Sequence, residues 1–240
     1  MIIDLHCNIL PNVDDGAENM EETIEMLSIA VEEGISGIVA TSHAKAEMLQ
    51  QSERYLESYR EILKYIELNN IPIQIYYGNE LYYSDGILSA LRNGEVHTLN
   101  GTHYVLVEFP IYENYYYIER GIRNLQNLGY WPIVAHVERY EELQSEDKIR
   151  KLIELGAYIQ VNTSSILGKS GITTRMFCTK LLRKRLVHIV ATDAHGSKHR
   201  RPEMKDCLKL IDRIAGEKYR RIITEENPEK IIIEEKIVKD

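Results

Sequence analysis

The sequence predicts an α/β fold in which one domain, residues 1–240, forms a closed or nearly closed βα barrel. A chain of 240 residues fits one domain of barrel size and can bury a sizeable core. Short β-branched runs alternate with amphipathic stretches from end to end, which is typical of repeated βα units. Seven such units favour a barrel, and an open doubly wound sheet is the structural alternative.

Seven nearly continuous apolar runs predict the strands, as expected for parallel strands that are covered on both faces. In chain order these runs are Ile2–Leu5, Ile35–Ala40, Ile73–Tyr77, Tyr104–Glu108, Pro132–Ala135, Tyr158–Val161 and His188–Ala191.

Helical periodicity fills the stretches between the runs. It is clearest in three sets of residues, Met20, Ile24, Leu27 and Val31, then Tyr55, Tyr59, Ile62 and Ile66, and finally Met204, Leu208, Ile211 and Ile214. Asn19, with Glu22 three residues later, predicts a helix start, and Gly34, Gly129 and Gly156 stand where helices should end.

Composition excludes several classes of protein. Lys and Arg total 29 against 37 Asp and Glu, a formal net charge of −8, which argues against nucleic acid or an anionic lipid surface as the main partner. No apolar run approaches the roughly 20 residues of a membrane span, and the N-terminal segment lacks signal-peptide character, so we expect a cytoplasmic protein that is not embedded in a membrane. Cys7, Cys178 and Cys207 are widely spaced and include no C-x-x-C, which predicts reduced thiols.

Histidines and carboxylates follow six of the seven predicted strands, although the chain has only eight histidines. In βα barrels the working residues project from the carboxyl ends of the strands. The residues found there are His6, Asp14, Asp15, His43, Glu80, Glu108, His136, Asn162, Asp193 and His195. Any one of them alone would more often be a cap or a surface group, so it is their convergence that predicts a metal centre. Asp14 and Asp15 remain alternatives, because one of them can cap the turn before Gly16.

The other histidines, His97, His103, His188 and His199, lie away from strand ends or in a loop, and we leave them out of the predicted site.

Mixed imidazole and carboxylate ligands suit Mn, Fe, Zn or Co better than Ca or Mg. So many ligands exceed what one ion can bind, so we expect two or three divalent ions. Ions about 3.5–4 Å apart stabilise both the attacking and the leaving oxygen in phosphate-ester hydrolysis. Hydrolysis is therefore the predicted chemistry.

Two local patterns imitate other phosphate-binding motifs. Thr163–Ser170 ends like a P-loop but lacks its first glycine, and Cys207 and Arg213 have the spacing of a cysteine phosphatase but lie in a helical stretch without glycine. We expect neither to act.

Short motifs in a fixed order span almost the whole chain. They are Asp4–His6 with Val13–Gly16, Ala40–His43, Gly78–Glu80, Val107–Pro110, Ala135–Tyr140, Gln160–Asn162, and Ala191–His195 with Arg201 and Pro202. In these motifs the sequence resembles the PHP (polymerase and histidinol phosphatase) metal-dependent hydrolases. Among them it looks like the bacterial capsule-type protein-tyrosine phosphatases, which act on tyrosine kinases that control polysaccharide export.

The resemblance implies a distorted (β/α)7 barrel with up to three ions, of which Mn is expected first and Fe, Mg, Co or Zn are alternatives. It implies three groups of ligands, namely His6, Glu80 and Asp193, then Glu80, Glu108 and His136, and finally Asp15, His43 and His195. Glu80 would bridge the first two ions.

Two arginines match the phosphate-binding positions of the resembled family, Arg139 and Arg201. Arg200 is the alternative to Arg201, because the loop that follows His195 is hard to register. The alternative for Arg139 is a structural salt bridge, for instance with Glu138.

Asn8 departs from the family pattern, which has a second histidine two residues after the first. We keep Asn8 as a candidate ligand of the first ion. An amide oxygen donates less strongly than imidazole, so we expect either a weakened metal site or impaired catalysis.

The resemblance implies a metal-dependent phosphomonoesterase that acts on a phosphotyrosine protein, a bacterial tyrosine kinase. A small-molecule phosphatase of the histidinol-phosphate type and a non-catalytic phosphotyrosine-binding protein are the alternatives. A homo-oligomer stays open as well.

Overall fold

Seven parallel strands form one sheet in the computed structural model, which describes residues 1–47 and 52–238. The strands pair in chain order and are β1 (Ile3–Cys7), β2 (Gly37–Ala44), β3 (Gln74–Tyr82), β4 (Tyr104–Glu108), β5 (Trp131–Val134), β6 (Tyr158–Asn162) and β7 (Ile189–Ala191). All neighbouring pairs are parallel. Each predicted strand is therefore confirmed, with shifts at its ends.

The first and last strands meet and nearly close the barrel. The backbone N–H of Asp193 donates to the His6 carbonyl at 2.8 Å, and that of Asn8 donates to the Ala194 carbonyl at 2.8 Å. The Asp4 carboxylate accepts hydrogen bonds from the backbone N–H of Thr192, at 2.9 Å, and from its hydroxyl. A nearly closed barrel is thus observed, and the open sheet is excluded.

Helices lie between and after the strands. In the described part of the chain they are α1 (Met20–Glu32), α2 (Ser52–Asn69), α3 (Asp85–Asn93), α4 (Tyr115–Asn127), α5 (Glu146–Glu154), α6 (Thr163–Leu167), α7 (Ile172–Arg183), α8 (Lys205–Ala215), α9 (Glu217–Arg221) and α10 (Asn227–Ile232). Short 3₁₀ turns occur at Leu99–Gly101, Val137–Arg139 and Glu141–Leu143, and a π-helical turn, Ile222–Glu226, joins α9 to α10. None of these helices is both long and apolar enough to cross a bilayer.

The predicted helix boundaries are confirmed. The side chain of Asn19 caps α1 by accepting from the N–H of Glu22 at 2.9 Å. Gly34, Gly129 and Gly156 follow the ends of α1, α4 and α5 with φ of 80°, 89° and 104°, a conformation that favours glycine.

The two imitation motifs are helical. Thr163–Leu167 forms α6 directly after β6, and Cys207 is buried within α8. We find no phosphate-binding loop geometry at either.

Strands β2 and β3 run further than the apolar pattern predicts, to Ala44 and Tyr82. Their added residues include polar side chains that pair in register, Ser42 with Asn79 and His43 with Glu80. Because the prediction stopped at the first polar residue, it missed that His43 and Glu80 are neighbours within the sheet.

A buried apolar cluster occupies the barrel towards the amino ends of the strands and includes Leu5, Val39, Leu106, Ile133 and Ala191. The polar residues lie at the carboxyl ends. The close-packed interior therefore holds the polar residues at the carboxyl ends in fixed positions.

Candidate metal centre

Histidines and carboxylates from six strands converge at the carboxyl end of the barrel. Those within or ending strands are His6 on β1, His43 on β2, Glu80 on β3 and Glu108 on β4. His136 follows β5, and Asp193 and His195 follow β7.

Glu80 lies at the centre of this group. Its Oε2 is 3.2 Å from His6 Nε2 and 2.9 Å from His43 Nδ1, and its Oε1 is 3.0 Å from His136 Nε2. The carboxylate is fully buried. One carboxylate that reaches three imidazoles is placed as a bridging ligand would be.

Two other carboxylates approach the same imidazole nitrogens as Glu80 does. Asp193 Oδ1 is 3.2 Å from His6 Nε2, and Glu108 Oε1 is 3.5 Å from His136 Nε2. Neighbours within the first two implied ligand groups are therefore in contact.

The third implied group is also assembled. Asp15 Oδ1 lies 3.2 Å from His43 Nε2 and 3.8 Å from His195 Nε2. The ligand atoms of these three residues all fall within 4.8 Å of one another, as do those of His6, His136 and Asp193 and those of His43, Glu80 and Glu108.

The chemistry of these side chains fits divalent metal ions. His6 Nε2, His43 Nδ1 and Glu80 Oε2 are buried and contact one another, but they have no other hydrogen-bond partner. Buried polar atoms are normally paired, so such atoms need another partner. Imidazole and carboxylate together suit first-row transition metals.

The metal-free centre shifts the pKa values of its members. Burial alone would lower the pKa of His6, but Glu80 and Asp193 together raise it to about 9. Burial likewise opposes protonation of His43, yet hydrogen bonds to Asp15 and Glu80 raise its pKa to about 11. Burial would raise the pKa of Glu80, but His6, His136 and His43 hold it well below its usual range. His6 and His43 therefore hold protons when no metal is bound.

Asp14 and Asp15 have different roles. The Asp14 carboxylate accepts from the backbone N–H groups of Gly16 and His43 and from Asn8 Nδ2, each at 2.9 Å. It is therefore occupied in ordering the loop. Asp15, by contrast, is directed at His43 and His195.

Asn8 lies buried beside this loop. Its amide nitrogen donates to Asp14, whereas its Oδ1 is buried and makes no hydrogen bond. One acceptor atom is thus left for a further partner.

Gln160, which the sequence argument did not assign to the site, links several candidate ligands. Its Oε1 accepts from the backbone N–H of His136 at 2.6 Å and lies 3.4 Å from His6 Nδ1, and its Nε2 donates to Asn162 Oδ1 at 2.7 Å. Asn162 Nδ2 then donates to Asp193 Oδ2 at 2.7 Å. These amides orient three candidate ligands. Their signals in the sequence were polar residues in a buried strand and the motif Gln160–Asn162.

A cavity of about 640 Å³ opens above the centre. Its wall includes Asp15, His43, Glu108 and His195 together with four cationic side chains, Lys45, Arg54, Arg139 and Arg200. Its size falls within the range of small-ligand sites.

Arg139 and Arg200 lie against carboxylates of the centre. Arg139 Nη1 is 3.9 Å from Glu108 Oε1 and 3.8 Å from Asp193 Oδ2, and Arg200 Nη2 is 2.7 Å from Asp193 Oδ2. Glu138, the alternative partner of Arg139, is buried and accepts instead from the N–H of Asn162.

Arg201 is placed differently from the prediction. It is not among the residues that line the cavity, and its nearest carboxylate is Glu203, 4.0 Å from its Nε. The loop register brings Arg200 to the cavity instead, because the Arg200 carbonyl accepts from the N–H of His195 and φ at Arg200 is 49°.

The four histidines left out of the prediction also stay outside the three groups of convergent ligand atoms. The His97 N–H donates to Asn79, and His188 Nδ1 accepts from the N–H of Ile159. His103 contacts Glu234, and His199 lies in the exposed loop after β7.

The chain is similar over most of its length to proteins named tyrosine-protein phosphatases. The tyrosine-protein phosphatase CpsB of Streptococcus pneumoniae is 32% identical over 243 residues, covering 98% of this chain and all of that protein. The tyrosine-protein phosphatase YwqE of Bacillus subtilis is 32% identical over 226 residues, covering 93% of this chain and 89% of that protein.

Solved structures agree in fold. A chain from the crystal structures of B. subtilis YwqE and S. pneumoniae CpsB, described as metal-dependent tyrosine phosphatases, has a TM-score of 0.89 at 30% identity and covers 100% of this chain and 97% of its own. Histidinol phosphate phosphatase from Lactococcus lactis shares the fold at a TM-score of 0.55 and 16% identity, covering 90% of this chain and 94% of its own.

The family model for capsular polysaccharide synthesis proteins CpsB/CapC matches residues 2–233. With its PHP-type barrel and convergent ligands, the chain belongs to the CpsB/CapC family.

Proposed function

We propose that this chain is a metal-dependent protein-tyrosine phosphatase that hydrolyses phosphotyrosine. The observation that carries the proposal is the set of convergent imidazoles and carboxylates around Glu80, beneath a cavity whose wall includes Arg139 and Arg200. The relatives named tyrosine-protein phosphatases span nearly the whole chain, which supports the same activity here.

The candidate ligands divide the work by position. His6, Glu80 and Asp193 would hold one ion, Glu80, Glu108 and His136 would hold a second, and Asp15, His43 and His195 would hold a third. Asn8 Oδ1 is the further candidate on the His6 side. When bound, divalent ions supply Lewis acidity and activate water for attack on phosphorus. We propose two or three ions with manganese first, because the donor set suits first-row metals.

The arginines act on the phosphate. Arg139 and Arg200 present guanidinium groups that can hold the equatorial oxygens while charge develops on them, and tyrosinate leaves on the open side of the cavity. Arg200 takes the phosphate-binding role for which Arg201 was the first candidate. No covalent phosphoenzyme is required.

The physiological substrate that we propose is a bacterial tyrosine kinase that controls capsular polysaccharide synthesis, acting in the cytoplasm. The family's description supports the link to capsular polysaccharide synthesis, and the names of its members support a phosphotyrosine protein as the substrate. We also propose that this chain can form a homo-oligomer.

Metal removal tests the activity. Chelation should abolish hydrolysis of a phosphotyrosine peptide and Mn(II) should restore it, whereas thiol alkylation should change little. Cys7, Cys178 and Cys207 are all buried, and burial raises their thiol pKa, so none is suited to act as a nucleophile. Activity that survives chelation and is lost on alkylation would refute the proposal.

Two alternatives are separated by the same preparation. Faster turnover of histidinol phosphate than of the peptide would favour a small-molecule phosphatase. Bound metal with peptide binding but no turnover would favour a non-catalytic binding protein, which the amide at Asn8 motivates.

A further inference from the structure

The four cations of the cavity fall into two pairs. The inner pair, Arg139 and Arg200, lies within 4 Å of Asp193, and Arg139 also lies that close to Glu108. The outer pair, Lys45 and Arg54, lines the same cavity but makes no ion pair within the described residues. Residues 48–51 between them carry no acidic side chain either. Among the described residues, these two positive charges thus line the cavity without an ion-pair partner.

Both outer cations are held close to the metal centre. Lys45 directly follows β2, and its Nζ lies 5.4 Å from the centre of the Tyr82 ring at the end of β3. Tyr82 is in turn the sheet partner of Glu108. Arg54 precedes Tyr55, whose hydroxyl donates to the His43 carbonyl at 2.8 Å and ties α2 to the end of β2.

The carboxylates of the cavity wall are engaged elsewhere. Asp14 is hydrogen-bonded to backbone N–H groups, Asp15 contacts His43 and His195, and Glu108 contacts His136. Their oxygens contact the loop and the histidines of the metal centre, although the Asp15 side chain is 71% exposed. Lys45 and Arg54 are therefore available to an anion that enters with the substrate.

We propose that Lys45 and Arg54 form an outer subsite for a second anionic group of the substrate, near the phosphotyrosine in its sequence. The inference rests on the proposed phosphatase function. The inner arginines hold the phosphate that is hydrolysed, and the outer pair receives a glutamate or aspartate carboxylate or a second phosphate. The enzyme accordingly prefers phosphotyrosines in acidic or multiply phosphorylated segments.

Three phosphotyrosine peptides test this subsite with the Mn(II)-loaded enzyme. They are identical except that the flanking positions carry glutamine, glutamate or a second phosphotyrosine. We expect kcat/KM to be about threefold to tenfold higher for each anionic peptide than for the neutral one, the size that one or two exposed ion pairs give. The glutamate and phosphate arms distinguish the two sources of the charge.

The variant Lys45→Gln/Arg54→Gln should reduce both ratios of kcat/KM towards one. The matched control is Arg60→Gln/Lys64→Gln, which removes the same charge from exposed positions of α2 that do not line the cavity. The control should keep the preference. Raising the salt from about 0.1 to 1 M should weaken the wild-type preference, since the screening length falls from about 10 to 3 Å.

Equal kcat/KM for the three peptides, or a preference that survives in the Lys45→Gln/Arg54→Gln variant, would overturn the subsite and leave the phosphatase function intact. Absence of turnover for every peptide would contradict the phosphatase function itself. Binding of the same peptides, measured by fluorescence anisotropy, would then test the outer subsite of Lys45 and Arg54 independently of catalysis.

Discussion

Asn8 shows how one residue can set the strength of a metal centre. Its amide nitrogen is committed to Asp14, and its buried oxygen makes no hydrogen bond. An imidazole offers one N–H donor and one stronger acceptor, so it can serve both roles.

We expect Asn8→His to increase metal occupancy and phosphotyrosine turnover, by up to about 10–100-fold if the added ligand matters as much as an outer-shell partner. Turnover and bound metal should be measured over a range of Mn(II) concentrations. A gain only at low Mn(II) means that Asn8 weakens binding alone, and a gain at saturation means that it also misplaces the nucleophile. Asn69→His, on an exposed helix end, is the control. If neither quantity changes, Asn8 is an adequate ligand or does not belong to the first ion.

The arginines allow a second comparison between neighbouring residues. Arg139→Ala and Arg200→Ala should each lower kcat, by about 100-fold or more, because each removes a charged donor to phosphate. Bound metal should stay unchanged, since guanidinium does not ligate the ions. Arg201→Ala is the control and should stay close to wild type. A loss for Arg201→Ala as large as that for Arg200→Ala would restore the original prediction.

At the scale of elements, the loop between β1 and α1 depends on one glycine. A Cβ at Gly16 would lie 2.1 Å from the Asn8 carbonyl oxygen and 2.7 Å from Asn8 Cβ. Only a residue without a side chain lets the loop return so closely. The loop carries Asp15, so the close approach fixes the third ligand group.

We expect Gly16→Ala to displace Asp15, to lower the number of bound ions by one and to destabilise the fold by roughly 1–3 kcal/mol. Elemental analysis and thermal unfolding measure the two effects. Gly34→Ala is the matched control, because φ at Gly34 is 80° with no atom within 4 Å of its Cβ position. It should cost stability, about 1–2 kcal/mol, and leave the metal content intact. Equal metal content in both variants would argue against the role of the loop.

The elements themselves were largely predictable, and the reasons are local. Apolar runs predicted all seven strands, and helical periods predicted the helices between them. Asn19 and Gly34 marked the bounds of α1. Apolarity could not show that β2 and β3 continue through polar residues, because those residues are stabilised by site contacts. A pattern along one strand does not show which residues meet in three dimensions. It therefore could not predict that Gln160 and Asp14 order the site, or that Arg200 rather than Arg201 lines the cavity.

At the scale of the whole molecule, the metal centre couples folding to pH. The pKa of His6 in the metal-free protein, about 9, lies above its ordinary value of 6.5 because Glu80 and Asp193 outweigh burial. Protonated His6 therefore stabilises the metal-free fold fully below about pH 6.5, and this contribution is lost as the pH rises to about 9.

We expect the melting temperature with EDTA to fall between pH 6.5 and about 9, while the added stabilisation by Mn(II) grows over the same interval. Metal must displace protons from the imidazoles, and fewer protons compete at higher pH. Thermal unfolding at a series of pH values, with and without Mn(II), measures both trends. In Glu80→Gln the fall should become smaller. A Mn(II) effect that shrinks with rising pH would contradict the coupling.

The closure of the barrel by β1 and β7 also bears on how the chain reaches its native state. Asp4 and Thr192, 188 residues apart, form hydrogen bonds, and His6 and Asp193 stand beside them. Contacts at such sequence separation form late and make folding slow. During synthesis the nascent chain cannot complete the centre until the last strand has emerged. Ions bound by residues of both β1 and β7 would then stabilise the barrel only after it has closed. A truncated chain that lacks β7 would therefore have no activity.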